Sequence, residues 1–268
     1  MRIAHIEDPS GIRTWAIQQP DGRLARAEGS PLDGPLRPAG AFVEPARWRP
    51  VVEPRALLCI GRNYAGHAKE RNEDVPTEPV LFLKNPAAAT GHLEAIRIPA
   101  VCEDEVDYEG ELAVVIGRVC RNVSREDALA HVLGYTIAND VSARVWQSQR
   151  GGSQWCRAKS FDTFAPLGPT LVTPDELPDP GAIHIRTSLN GTVLQDCPTR
   201  EMIFDVPTLI AFLSQDTTLL PGTVILTGTP EGVGWSRTPR KTLRPGDVVA
   251  VEIEGIGRLE NPVLPPTP

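Results

Sequence analysis

The apolar positions of this chain fall in short segments, alternating with polar ones near the N-terminus and forming brief continuous runs further on, a pattern that predicts strands rather than helices. Segments of strand character lie at Ile3 to Ile6, Thr14 to Ile17, Leu57 to Gly61, Leu112 to Ile116, Val132 to Ala138, Ile183 to Leu189, Val224 to Thr227 and Val248 to Ile253. Turn signals such as Leu189-Asn190-Gly191-Thr192 and Arg244-Pro245-Gly246-Asp247 recur between them. Helix signals are few. Ser124, with Asp127 three residues on, can cap a helix through Ala128 to His131, and Asp205 or Pro207 can open another through Leu209 to Leu213. No βαβ rhythm is visible, so a mixed or antiparallel β architecture is expected. The first strands are followed by a Gly/Pro-rich stretch from Gly29 to Gly40. Residues 1–53 are therefore read as a small N-terminal β-rich domain and linker, and residues 54–268 as the motif-bearing domain.

Composition narrows the classes of function. With 41% hydrophobic and 23% charged residues the chain is ordinary globular material. A net charge of −7, with no basic stripe, argues against nucleic acid as a partner. Acids stand at Glu7 and Asp8, where a signal peptide needs an apolar stretch, and runs such as Leu112 to Ile116 are too short to cross a bilayer. The five cysteines are widely spaced, without a CxxC pair, so neither a zinc knuckle nor a disulfide framework is expected. A reduced, cytoplasmic setting follows as the expectation.

The segment Asp104 to Gly117 carries the strongest chemical signal. On a strand, Asp107, Glu109 and Glu111 project from one face beside a very apolar continuation. Like charges stacked this way repel, and a divalent cation would relieve them, since carboxylate oxygens are the preferred ligands of hard ions. The alternative is a solvated strand edge holding nothing. Asp140, at the end of the Val132 to Ala138 run, is the candidate third ligand, although an isolated Asp there also serves as a turn former.

Two further motifs bear on chemistry. His67 and Glu70, three apart at the start of a short helix, can pair so that the carboxylate fixes the imidazole as a general base; a surface ion pair is the plainer reading. Lys159, between small and aromatic residues, can serve as an oxyanion or enolate partner, or simply snorkel to solvent. Thr227-Gly228-Thr229-Pro230-Glu231-Gly232-Val233-Gly234 has neither the P-loop nor the dinucleotide-binding pattern; its glycines fit close backbone approach or a tight bend.

Together these pieces resemble the fumarylacetoacetate hydrolase family, in order, over roughly Pro54 to Val263. The matching runs are Gly61-Arg62-Asn63-Tyr64 with His67 and Glu70, Pro79 to Lys84, Tyr108-Glu109-Gly110-Glu111-Leu112, Tyr135 to Arg144, Lys159-Ser160-Phe161-Asp162, and Thr227 to Gly234. The resemblance implies an α+β fold, a mixed β-sandwich roll with few helices, in a homodimer. It also implies Mg²⁺ or Mn²⁺, with Ca²⁺ as an alternative, on Glu109, Glu111 and Asp140, with Asp107 outside that triad. His67 and Glu70 are then the water-activating pair, Lys159 the catalytic lysine, and Arg144, Gln147 and Thr229 substrate contacts. The N-terminal segment is similar to that of the acylpyruvase, isomerase and decarboxylase branches. The leading expectation is metal-dependent C–C hydrolysis of a small 2,4-diketo acid. Decarboxylation of an oxaloacetate-like acid, or isomerisation of that kind of acid or of a 2-hydroxy-diene acid, uses the same enolate chemistry. A non-catalytic keto-acid-binding protein is a third reading.

Overall fold

A computed structural model describes residues 1–102 and 104–266. Two large sheets dominate. The strand path of the first runs Arg37–Val43, Leu24–Glu28, Arg13–Gln18, Arg2–Glu7, Ala165–Val172, Val132–Asn139, Gly110–Ile116, Thr223–Leu226, Ala56–Gly61 and Val80–Lys84. The second, of five strands, runs Thr192–Pro198, His184–Leu189, Val248–Ile253, Gly257–Leu264 and Ile96–Arg97. Most pairings are antiparallel; Thr223–Leu226 lies parallel to Ala56–Gly61. Four α-helices occur among the described residues, the longest being Val206–Leu213. This is the mixed β architecture with few helices that the sequence pattern predicts.

The centre of the large sheet is buried on both faces. Along Gly110–Ile116, Ala113 and Val115 enter one hydrophobic cluster while Leu112, Val114 and Ile116 enter the other. The second cluster also takes Ile185, Val251, Ile253 and Leu259 from the five-stranded sheet, so the two sheets share a core. A central strand apolar on both sides reads as a continuous run rather than an alternation, as this one does.

Several elements differ from their sequence signals. Arg37–Val43 is a strand inside the stretch read as linker; six of its seven residues are exposed, so no apolar alternation marks it. Arg2–Glu7 pairs with Ala165–Val172, and the N-terminal strands thereby extend the large sheet. Ala165–Val172 escapes notice because it contains Gly168 and Pro169, which sit where its register with Val132–Asn139 shifts. Val80–Lys84, Thr192–Pro198 and Gly257–Leu264 also go unmarked by the strand pattern. Ala128–His131 is a 3₁₀ turn, not an α-helix, because strand Val132–Asn139 begins at the next residue. Asp205, not Pro207, is the cap of Val206–Leu213, accepting from the Thr208 backbone N–H at 3.0 Å.

Candidate active site

Strand register assembles the acidic cluster. Gly110 stands opposite Asn139 in the antiparallel pair, so the residue before one and the residue after the other, Glu109 and Asp140, meet at the same sheet end. The Asp140 N–H donates to the Glu109 carbonyl at 2.8 Å, and the Asn139 side chain accepts from the Glu109 N–H at 3.0 Å. Glu111, two residues along from Glu109, falls on the same face. Ligand atoms of Glu109, Glu111 and Asp140 all lie within 4.8 Å of one another, and all three residues are buried. Asp107 points elsewhere: it accepts from the Gly234 and Trp235 N–H groups, each at 2.9 Å, and from Arg144 Nε at 2.9 Å.

Buried cations hold this charge in place. Lys159 Nζ donates to Glu109 Oε2 at 2.8 Å, Asp140 Oδ2 at 2.6 Å and Ser142 Oγ at 2.6 Å. Lys84 Nζ donates to Asp140 Oδ1 from the opposite side. Arg144 Nη1 donates to Glu109 Oε1 at 2.6 Å and Gln147 Oε1 at 3.0 Å. Burial alone would raise the Glu109 carboxyl, but Lys159 and Arg144 outweigh it and hold the group below its usual range. Glu111 goes the other way: burial first, then Asp140 and Glu109 nearby, push its carboxyl well above the ordinary value. Its one hydrogen-bond donor among the described residues is the Gly228 N–H at 2.7 Å. Counting Asp107, four buried carboxyl groups face three buried cations, Lys84, Lys159 and Arg144. The excess negative charge and the all-oxygen donor set fit a hard divalent cation.

His67 lies at the wall of this site. The helix Ala65–Glu70 puts His67 and Glu70 on one face, Nδ1 and Oε1 being 2.7 Å apart. An ionised carboxylate only accepts, so Nδ1 carries the proton and Nε2 is the free ring nitrogen. Glu70 Oε2 accepts from the Gly232 N–H at 2.9 Å. The glycine-rich run Thr227 to Gly234 therefore feeds backbone N–H groups to three carboxylates: Gly228 to Glu111, Gly232 to Glu70 and Gly234 to Asp107. Gly228 and Gly232 have φ of +101° and +102°, and a Cβ on Gly232 would meet the Leu194 carbonyl oxygen at 2.1 Å. Close backbone approach, one of the two uses read from the sequence, is what these glycines provide.

A small cavity joins the groups, with His67, Glu109, Lys159, Arg144, Gln147 and Thr229 on its walls. Roomier clefts open elsewhere, one beside Arg125, Arg200 and Asp205, but they hold neither the carboxylate cluster nor the histidine. The structure thus gathers all nine sequence candidates, while showing that several are already engaged. Arg144 is occupied by Asp107, Glu109 and Gln147, and Thr229 Oγ1 donates to the Gly110 carbonyl while accepting from Gln195 Nε2. Lys84 was not singled out by charge pattern. Its signal is an inverted alternation: Phe82 and Lys84 are buried while Leu81 and Leu83 are exposed. The cavity also touches Arg62 and Arg71, which sequence reasoning left without a role.

Fold and site together set a buried carboxylate cluster, two lysines, an arginine and a His–Glu pair on a mixed β scaffold. The chain belongs to the fumarylacetoacetate hydrolase family, matching the fumarylacetoacetate (FAA) hydrolase C-terminal family over residues 56–264. It is 48% identical over 215 residues to the mitochondrial oxaloacetate tautomerase fahd2 of Xenopus laevis, covering 80% of this chain and 67% of that protein. It is 47% identical to the mitochondrial oxaloacetate tautomerase FAHD2A of Homo sapiens, covering 80% and 68%. The crystal structure of a 5-carboxymethyl-2-hydroxymuconate delta-isomerase from Mycobacterium smegmatis superposes with a TM-score of 0.85 at 39% identity, covering 99% of this chain and 100% of that one. Both animal relatives are named as mitochondrial, which does not support the cytoplasmic expectation in particular. No helix among the described residues is long and apolar enough to cross a membrane.

Proposed function

We propose that this enzyme interconverts the keto and enol forms of a small oxaloacetate-like 2-keto acid, using Mg²⁺ or Mn²⁺ on Glu109, Glu111 and Asp140. The observation that carries the reading is the pairing of buried His67 with half-buried Glu70 at the wall of a cavity that also contains Glu109 and Lys159. The names of the relatives, two oxaloacetate tautomerases and a delta-isomerase, support proton relocation over the C–C hydrolysis that the sequence resemblance placed first.

When bound, the cation supplies Lewis-acid stabilisation of developing negative charge on the substrate oxygen. The remaining work belongs to the chain. His67, held in one tautomer by Glu70, presents Nε2 to take a proton from C3 of the keto acid or to return one to it. The C2 oxygen gains a proton as C3 loses one, so the isomerisation is balanced without water or a leaving group. Lys159 and Arg144 fix the Glu109 carboxylate in place. The apolar rings of Phe82 and Trp155 line the same cavity.

The test follows the disappearance of enol absorbance from freshly dissolved enol-oxaloacetate, with Mg²⁺ or Mn²⁺ and with EDTA. Cation-dependent acceleration is expected. Pyruvate plus a second acid from an acylpyruvate, or CO₂ from oxaloacetate, without enol turnover would replace the proposal with hydrolysis or decarboxylation.

A further inference from the structure

The mouth of the cavity carries two arginines beyond those that hold the acidic cluster. Arg62 and Arg71 both line it, and both reach one carboxylate, Glu73: Arg62 Nη1 at 3.3 Å and Arg71 Nε at 3.4 Å. Two guanidinium groups sharing one carboxylate leave a unit of positive charge uncompensated by this trio. Both contacts are long for charge-assisted hydrogen bonds, which close to about 2.7–2.9 Å. Among the described residues, Arg62 Nε is buried with no hydrogen-bond partner, and so is Glu73 Oε2 beside it. A buried donor left unpaired is costly, and its presence on a cavity wall points to an acceptor that arrives with a ligand.

The local backbone is shaped to keep Arg62 there. Arg62 adopts φ +58°, a conformation side-chain-bearing residues rarely take. Its guanidinium lies over the Trp155 ring, 5.5 Å from the centroid. Gly61 makes that approach possible, since a Cβ there would sit 2.4 Å from Trp155 Cζ3. The other cations of the site are not free for this purpose. Lys159, Lys84 and Arg144 each already donate to the carboxylate cluster.

We infer that Arg62 and Arg71 form the specificity determinant for a second, distal carboxylate, so that the substrate is a dicarboxylic 2-keto acid rather than a monocarboxylic one. The inference rests on the keto-acid reading of the site. Glu73 acts as an internal stand-in for that carboxylate, sharing the two guanidinium groups until the ligand supplies its own oxygens. Arg62 and Arg71 bind and orient; they take no part in moving the proton.

The experiment measures binding of two non-enolisable 2-keto acids by titration calorimetry in Mg²⁺: 3,3-difluorooxaloacetate, a dicarboxylate, and 3,3-dimethyl-2-oxobutanoate, a monocarboxylate. The expected result is that Arg62→Gln and Arg71→Gln each weaken the dicarboxylate on the order of tenfold or more and leave the monocarboxylate unchanged. Glu73→Gln removes the competing carboxylate and is expected to tighten the dicarboxylate several-fold. That change of opposite sign is one that a merely damaged fold does not produce. Equal losses for both ligands, or no loss for either, overturn the inference. Exchange of C3 hydrogens of oxaloacetate and 2-oxobutanoate with D₂O, corrected for spontaneous exchange, tests the underlying reading separately. Selective binding without catalysed exchange would sink the tautomerase and leave the specificity pair standing, whereas exchange of both acids at equal efficiency would do the reverse.

Discussion

The Gly232 backbone N–H lies 2.9 Å from Glu70 Oε2, joining the glycine-rich loop to the helix that carries His67 across 162 residues of sequence. The other Glu70 oxygen meets His67 Nδ1 at 2.7 Å. One carboxylate thus takes its position from a backbone amide and passes it to an imidazole. Such a contact fixes which ring nitrogen of the imidazole carries the proton.

Replacing either member of the proposed proton-transfer pair should separate catalysis from cation binding. His67→Ala and Glu70→Gln are each expected to lower kcat for enol turnover by roughly 10²- to 10⁴-fold, the range of general acid–base contributions. Mg²⁺ affinity measured by calorimetry should stay within a few-fold of the parent. Full activity in His67→Ala would remove that residue from the mechanism.

Glu111 makes the opposite prediction. Its carboxyl is buried, faces two other carboxylates and has no cation of its own among the described residues. Glu111→Gln should therefore raise the thermal midpoint of the chelator-treated protein. It should also abolish the further rise on adding Mg²⁺, which for a saturated site is about 2.7 kcal/mol at a hundredfold excess over Kd. A variant that loses stability without metal and keeps its Mg²⁺ response would contradict the assignment.

Gly232 tests the loop. With φ at +102° and the Leu194 carbonyl oxygen 2.1 Å from where a Cβ would lie, Gly232→Ala must shift the backbone that supplies the N–H to Glu70. We expect a fall in activity at least as large as in Glu70→Gln, accompanied by a lower thermal midpoint. Scanning calorimetry alongside the enol assay would check it. Unchanged values in both would mean that the loop accommodates the methyl.

The N-terminal strands give a pH signature independent of catalysis. Asp8 accepts from Ser10 Oγ, from the Ser10 and Ile12 N–H groups and from Arg26 Nη2, and these donors, Ser10 foremost, hold its carboxyl far below the ordinary 3.8. A depressed folded-state value means stability that is complete above the unfolded value and is lost as pH falls from there towards the folded one. Acid unfolding below about pH 4 should be shallower in Asp8→Asn than in the parent. Parallel curves would show that Asp8 does not titrate with folding.

The sequence made the acidic ligand candidates legible because strand periodicity and charge repulsion are both local. Glu109 and Glu111 share a face by their spacing, and Asp140 ends a recognisable apolar run. The same periodicity put Asp107 beside them, but the chain leaves strand geometry between Asp107 and Gly110, and Asp107 turns to Arg144 and the Gly234 amide. Lys84 could not be placed from composition, since a lysine at a strand end is normally solvated; only pairing with Ala56–Gly61 carries it inside. Strand Arg37–Val43 was invisible for a related reason. It forms by backbone pairing with Leu24–Glu28 at the sheet margin, and little of its side-chain surface is buried.

The opposition of Gly110 and Asn139 has a bearing on how such proteins diversify. Slipping that ladder by one residue would exchange side chains between the two core clusters, misfitting both, and separate Glu109 from Asp140 in the same event. Selection for a folded protein therefore guards the carboxylate geometry even when catalysis is not under selection. Arg62, Arg71 and Trp155, on the helix and loop side of the cavity, are outside that ladder, so the residues proposed to set substrate preference can change without moving the carboxylates.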